Sequence, residues 1–512
     1  MNKLSKLTQT TLLLAFFFAL DKGLAILRQV IIARQFGLAR LDAYNAANNV
    51  PDLLYVLISG GALAVAFIPA LSEALTTKGR SALWDLFSRI TNLAFLVTAG
   101  LAILVVIFAR PLVGWELGIA PGFTAEQKNL VVNLMRLDLI GTLIFSISGL
   151  VMAGLQANQH FLFPAMAPPF YNIGQIFGAL ILAPEKGISI AGVTLPAYGM
   201  GVYGLVYGVI IGAGLHLLIQ VPGLIRYKFH WTPLIGINTP EVRKVLVLFG
   251  PRLLTMLSIQ LIFLVRDNLA SRLQAGAVTA LTYGWMLQQV PETLIGTAIG
   301  MALLPTLSEQ AARLDWQAFR DTLNRACQVL FALTIPVAVV LAIGLKPLVA
   351  RVFGFDVANT DLLMWVTRGF LVGLAGHSLN EVVARAFYAR QKPLIPLYVS
   401  LVNLVIYVIL GFILFRLLGP AGISLTDSIA FTTQAVLLLV LLNRRLPEPI
   451  RILKIVPRTI LAALLGGGAA LTIMVLGNGR IPALMVGVLS LGLGAVCMLP
   501  PIWKEVRLLL RL

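Results

Sequence analysis

The sequence predicts an all-α polytopic membrane protein of about 14 transmembrane helices, arranged as two pseudo-symmetric six-helix lobes plus two C-terminal helices. Three observations carry that expectation. The composition is apolar and poor in charge, apolar runs of bilayer-crossing length recur from end to end, and a sequence repeat returns after six spans.

The chain has 512 residues, 59% hydrophobic and 12% charged, with a mean hydropathy of +0.91. A soluble domain holds about 45–50% apolar and about 25% charged residues, so this balance belongs to a chain whose solvent is lipid. No polar stretch between the apolar runs is long enough for a folded soluble domain. Lys3 and Lys6 precede the first apolar run, as in a signal peptide, but no small-residue cleavage site follows. A retained first helix is therefore expected. The net charge of +18 suits basic cytoplasmic loops better than a nucleic-acid surface. Cys327 and Cys497 lie in separate apolar contexts and give no disulfide framework, and four scattered histidines give no metal spacing. No cofactor is expected, apart from a coupling cation whose identity the sequence leaves open.

In chain order, windows of about 20 residues place spans near 8–34, 42–75, 86–110, 128–155, 161–183, 198–222, 241–271 and 277–308. The remainder fall near 322–353, 359–388, 394–416, 421–443, 456–476 and 482–503. With the N-terminus inside, roughly 23 Lys and Arg occupy the cytoplasmic loops and about 10 the outer ones, which favours that orientation. The clusters "TTKGR", "IRYKFH", "RQK" and "NRRLPEPIRILK" then lie inside, and an even span count returns the C-terminus to the same side.

The repeat joins "GALAVAFIPALSEA", which ends the second span, to "GTAIGMALLPTLSEQ", which ends the eighth. Pro69, Ser72 and Glu73 correspond to Pro305, Ser308 and Glu309. A second echo, "ANQHFLFP" from Ala157 and "ARQKPLIP" from Ala389, joins the ends of spans four and ten. Both echoes are six spans apart, the signature of parallel repeats with one membrane orientation. The expected divisions are an N-terminal lobe over 1–222, a C-terminal lobe over 223–443, and two extra helices over 444–512.

Charges inside these spans point to function. A charge near the bilayer centre costs roughly 3 to over 10 kcal/mol, so it must face protein or water. Asp21 and Arg28 are seven apart on the first span, hence on one face, with Lys22 about 100° aside. Asp42, Asn45, Asn49 and Asp52 follow at steps of three, four and three, one polar stripe down the second span. The seventh span carries Arg252, Arg266, Asp267 and Asn268, and the eighth Gln288, Gln289 and Glu292. One polar, partly cationic cavity lined by spans 1, 2, 7 and 8 accounts for all of them. The competing reading makes Asp21–Lys22 and Arg266–Asp267 structural ion pairs. Arg136 with Asp138, and Arg368, Glu381 and Arg385, read instead as pairs that lock helices.

"LRQVIIARQFG", "LDAYNAANNVPDLL" and "GGALAVAFIPALSE" resemble the N-terminal signature of the MurJ (MviN) lipid II flippases of the MOP transporter superfamily. "KVLVLFGP", "VPETLIGTAIGMALLPTLSE" and "ACQVLFALTIPVAVVLAI" resemble the middle region of that family, and "AFYARQKPLIPLYVSLVNL" its tenth and eleventh helices. The resemblance covers about the first 440 residues and implies twelve core spans plus two. By resemblance Arg28 matches a functional arginine of helix 1 and Asp42 an acidic residue at the start of helix 2. Lys22 stands where many members carry arginine, which keeps the charge without the planar fork. Tyr55, Gly60 and Met286 depart from positions usually held by arginine, glutamate and arginine. Arg252 and Arg266 are the nearest replacements by spacing.

The implied activity is flipping of a polyprenyl-diphosphate-linked peptidoglycan precursor across the bacterial cytoplasmic membrane by alternating access. Lys22, Arg28, Arg252 and Arg266 would hold the diphosphate, against Asp21 and Asp42, in a cavity that is net positive when empty. Asn45, Asn49 and Gln289 would bond sugar or peptide, and the tail would run along helices 13 and 14. A monomer with lipid partners and no nucleic acid is expected. The runner-up is a flippase for another polyprenyl-linked glycan, of the O-antigen type. A MATE-like cation exporter should carry a cavity dominated by carboxylates, and a non-transporting scaffold would explain the altered cavity positions. An enzyme is disfavoured because there is no DxD, HExxH or GxSxG and no adjacent acidic pair.

Overall fold

A computed structural model describes residues 6–58, 61–187, 189–190, 192–450, 455–477 and 479–509. It is helical throughout, apart from a two-stranded antiparallel turn pairing Ser189–Ile190 with Val193–Thr194. Among the described residues, eight helices are long and apolar enough to cross a bilayer, and two bent pairs, Val357–Val372 with Leu374–Ala389 and Ala483–Met498 with Pro500–Leu508, bring the number to ten. Fourteen passages result once two further features are taken into account. First, Gly61–Gly114 and Leu394–Asn443 run for 54 and 50 residues. At about 1.5 Å per residue, that is more than twice a hydrocarbon core of about 30 Å. Each is two helices joined at a glycine, Gly79 with φ 85° and Gly419 with φ 59°. L-residues rarely adopt that backbone, so glycine permits the reversal there. Second, Lys6–Gln35 and Pro240–Ala270 are helices of membrane length whose internal charges lower their hydropathy, and Leu38–Ile58, which shares the expected second span 42–75 with the first half of Gly61–Gly114, counts with that half as one passage.

Polar caps fix the helix starts. Thr124 and Gln127 form a reciprocal capping box ahead of the fourth span, Ala125–Ala157, and Asp315 and Asp356 cap the ninth and tenth. The fifth span, Leu162–Leu182, and the eighth, Ala277–Ala312, each contain one π turn, at Gly178–Leu182 and Thr293–Thr297. Such turns widen a helix locally and release a backbone hydrogen bond.

The chain divides into two compact units, Met1–Leu264 and Val265–Leu512, and the division falls inside the seventh span, Pro240–Ala270. The reason lies in its first turns, where Val242 and Val245 join the core of the first unit with Phe67, Trp84, Phe87 and Leu150. In this unit the fifth span packs on the sixth, Val202–Arg226, through glycines. A Cβ on Gly174 would stand 2.3 Å from Gly212 Cα, and one on Gly178 2.5 Å from Gly208 Cα. This is the small-residue contact of helices that lack a hydrophobic drive to associate in lipid.

The second unit has a core of Leu323, Val329, Leu330, Val382, Phe387 and Leu438. Its thirteenth and fourteenth spans, Val456–Gly477 and Ala483–Met498, pack on the ninth, Trp316–Gly344, through Ala332, Val340, Ala462, Ala470 and Met498. Large apolar side chains are exposed along the spans of both units, among them Phe16, Ile103, Ile107, Leu401, Leu464 and Val488. For a membrane protein that is the lipid-facing surface.

Candidate functional site

In the first unit the first span packs against the fifth, and one amide joins them. Arg28 Nη1 donates to Asn172 Oδ1 at 2.9 Å. Asn172 Nδ2 in turn donates to Asp21 Oδ1 at 2.8 Å and to the Pro168 carbonyl at 3.3 Å. Asp21 and Arg28 thus share a face, as their spacing requires, yet they do not form an ion pair among the described residues. A neutral carboxamide stands between them. It orients the guanidinium without cancelling its charge, and Nε and Nη2 of Arg28 make no hydrogen bond among the described residues. Lys22 points elsewhere. Its side chain is 60% exposed, its Nζ is 3.8 Å from Asp21 Oδ2, and it lies 5.3 Å from the centre of the Phe18 ring.

The second span keeps its polar stripe. Asp42 is buried, Asn45 and Asn49 are half-buried, and Asp52 is exposed. Asn49 Nδ2 donates to the Ala46 carbonyl at 3.3 Å. Arg28 lies within electrostatic range of Tyr44, Asp52 and Tyr171. Tyr55 packs its ring 5.0 Å from Phe145, which meets Tyr171 at 4.7 Å. This position is therefore aromatic packing and supplies no cation.

Two expectations for the locking pairs part company. Glu381 and Arg385 do pair, at 2.5 Å. Arg136 does not reach Asp138: its Nε and Nη2 donate to the Val106 carbonyl at 3.1 and 3.0 Å. Asp138 is 5% exposed, and its Oδ1 has no hydrogen-bond partner among the described residues. Residues two apart lie about 200° around a helix, so the arginine takes a carbonyl on its own side.

In the second unit Arg266 differs from the expectation that it turns away from its neighbour. Its Nε donates to Asp267 Oδ1 at 2.8 Å and its Nη2 to Thr282 Oγ1 at 3.3 Å. Both members are buried, Asp267 completely. Their Cβ atoms diverge by about 100°, but the long arginine stem bends back across that angle, because a bare carboxylate in the interior is far costlier than a constrained rotamer. Gln289 is exposed, Gln288 is buried with neither amide atom bonded among the described residues, and Met286 is half-buried. Glu292 accepts from Thr297 Oγ1 across the π turn at 3.2 Å. The Arg252 side chain and Gly60 lie outside the described residues. The expected surplus of positive charge loses Arg266 to Asp267.

Sequence reasoning missed Asn172. Its signal was a lone amide in "PPFYNIGQIFG", polar within a span, and only the packing of the fifth span on the first gives it a partner.

A family model described as lipid II flippase MurJ matches residues 32–489. The chain belongs to the MurJ family. Its relatives include lipid II flippase MurJ of Burkholderia cenocepacia, 29% identical over 84% of this chain and 82% of that protein. A probable lipid II flippase MurJ of Treponema pallidum is 26% identical over 87% and 83%. Among solved structures, a lipid II flippase MurJ in an inward closed conformation superposes with a TM-score of 0.78 at 22% identity, over 98% of this chain and all of that one. An inward-facing multidrug-resistance MATE transporter of the MOP superfamily gives 0.68 at 16% identity, over 83% and 94%. At these identities the likeness speaks for the fold. The fold is thus one that the MurJ structure and the MATE transporter share.

Proposed function

We propose that this chain flips lipid II, a polyprenyl-diphosphate-linked peptidoglycan precursor, across the bacterial cytoplasmic membrane by alternating access, without catalysing a covalent reaction. Membership of the MurJ family supports the substrate class. The observation that carries the chemistry is Arg28, aimed by Asn172 and keeping donors for an anion. A diphosphate takes two parallel N–H bonds from a guanidinium fork, which replaces part of the water it leaves behind. Asn45 and Asn49, on the same unit as Arg28, bring amides towards sugar or peptide. Asp52, exposed on the same stripe, keeps it hydrated once the head group leaves. The polyprenyl tail stays in lipid beside the thirteenth and fourteenth spans. Both termini lie in the cytoplasm, the protein works as a monomer, and the lobes run over 1–222 and 223–443.

The test is replacement of the native flippase in a depleted bacterium. Growth with the wild-type chain and lysis with Arg28→Ala, at equal membrane levels, is the expected result, and lysis with both overturns the reading. A second reading, a flippase for another polyprenyl-linked glycan, draws on Arg266, which is engaged by Asp267, and on Tyr55 and Met286, which bring no charge. Protection of lipid II in proteoliposomes, measured against an undecaprenyl-diphosphate glycan that lacks the peptide, separates the two.

A further inference from the structure

The second unit holds a buried pair that the anion site does not use. His377 Nε2, on the tenth span, lies 2.7 Å from Asp427 Oδ2, on the twelfth, and the two side chains are 7% and 5% exposed. The imidazole is stacked on Phe431 at 4.3 Å and edged by Trp285 at 5.4 Å, which fixes its plane. Titratable and charged groups lie around the pair on the seventh, eighth, tenth and eleventh spans. The seventh span brings Arg266 and Asp267, the eleventh Tyr407, the eighth Glu292, and the tenth Glu381 and Arg385. Arg266 is bonded to Asp267 and Arg385 to Glu381. Asp427 and Glu292 remain, and His377 touches the first and lies within electrostatic range of the second. The Tyr407 hydroxyl, fully buried and without a hydrogen-bond partner among the described residues, is within electrostatic range of Asp427.

Proton counting follows from this geometry. With one proton the dyad is a neutral imidazole on a carboxylate, net −1. With a second it is neutral as a whole, either as imidazolium with carboxylate or as imidazole with carboxylic acid. Burying an uncompensated carboxylate is costly, so the dyad has reason to take a proton whenever water reaches it and to release one when its surroundings rearrange. The first unit supplies the contrast. There His216 Nδ1 on the sixth span meets Ser148 Oγ on the fourth at 2.6 Å, with Gln220 Nε2 donating to the same hydroxyl at 3.0 Å. The repeat equates spans four and six with ten and twelve, so each unit has one histidine bridging the same two spans. Among the described residues, only in the second unit does that histidine face a carboxylate.

We propose that His377 and Asp427 form a proton-binding site in the second unit that takes up and releases one proton in each transport cycle, making the proton the coupling cation. The proposal rests on the flippase reading for its transport half alone. The test uses the full chain, labelled with 15N-histidine, in lipid nanodiscs. Four histidines give resonances assignable by His→Gln variants. As the pH is varied from 5 to 9 the His377 resonance should report one proton taken up or released, and Asp427→Asn, which removes the carboxylate facing the ring, should alter that response. A His377 signal that is invariant over this range, or indifferent to Asp427→Asn, overturns the site. In proteoliposomes, an imposed pH gradient should change flipping several-fold for the wild type and for His216→Gln. It should have no effect on the double variant His377→Gln/Asp427→Asn, which keeps the pair neutral and uncharged should either single change fail to fold. Wild-type flipping insensitive to the gradient overturns the coupling. No flipping under any condition brings down the flippase reading, and the titration still decides the proton site.

Discussion

Replacing Asn172 by alanine removes the one side chain that both aims Arg28 and separates it from Asp21. Besides the longer bond to the Pro168 carbonyl, two hydrogen bonds disappear, one from Arg28 at 2.9 Å and one to Asp21 at 2.8 Å. Each involves a charged group, so each contributes about 1.5–3 kcal/mol net. If one of them, at about 1.5 kcal/mol, keeps Arg28 in its binding orientation, that orientation loses about tenfold in population, because about 1.4 kcal/mol is a factor of ten. Arg28 then swings towards Asp21 and its charge is neutralised by an ion pair. Flipping of fluorescent lipid II in proteoliposomes should therefore fall about tenfold or more in Asn172→Ala while the protein still inserts and elutes as a single species. Arg28→Ala should abolish flipping, and Arg28→Lys should be intermediate, since a point charge survives without the fork. Asn172→Gln, with the same amide on a longer stem, should recover part of the loss. Wild-type flipping by Asn172→Ala would show that Arg28 needs no aiming and would remove the main physical support for the anion site.

Three further outcomes follow from the packing. Arg266→Ala leaves Asp267 buried without its arginine and should cost about 3–5 kcal/mol of stability. The melting temperature in detergent should drop sharply, adding Met286→Arg should not repair it, and an unchanged melting temperature would refute the pairing as the role of Arg266. Gly174→Ala forces a Cβ against the Gly212 backbone and should cost about 1–3 kcal/mol by overpacking, read from the same melting curves. His160, in the turn between the fourth and fifth spans, has its pKa lowered from 6.5 by burial and by the nearby Arg226. A base whose folded pKa is depressed contributes its full share of stability above pH 6.5 and loses it as pH falls through the folded value. The stability difference between wild type and His160→Gln should therefore be constant at pH 7–8 and shrink below about pH 6.5, and a flat difference down to pH 5 would contradict the shift.

The sequence by itself determined the solvent, the spans and the chemistry that had to be hidden. A 59% apolar chain with runs of bilayer length has one class of fold open to it, because each backbone group in lipid must be satisfied within its own helix. The periodicity put Asp21 with Arg28 and lined up Asp42, Asn45 and Asn49, since i,i+7 and i,i+3/i+4 positions share a face whatever the helix packs against. Partners were a different matter. Asn172 lies 144 residues from Arg28, and nothing local distinguishes it from any other amide in a span. Arg136 chose a carbonyl over Asp138, and Arg266 chose Asp267 over a more open position, because a long side chain selects among neighbours that only tertiary packing supplies. The same holds for His377 and Asp427, 50 residues apart on two spans. Hydropathy fixes which residues must leave the lipid, and the packing of one helix on another decides which charge each of them meets.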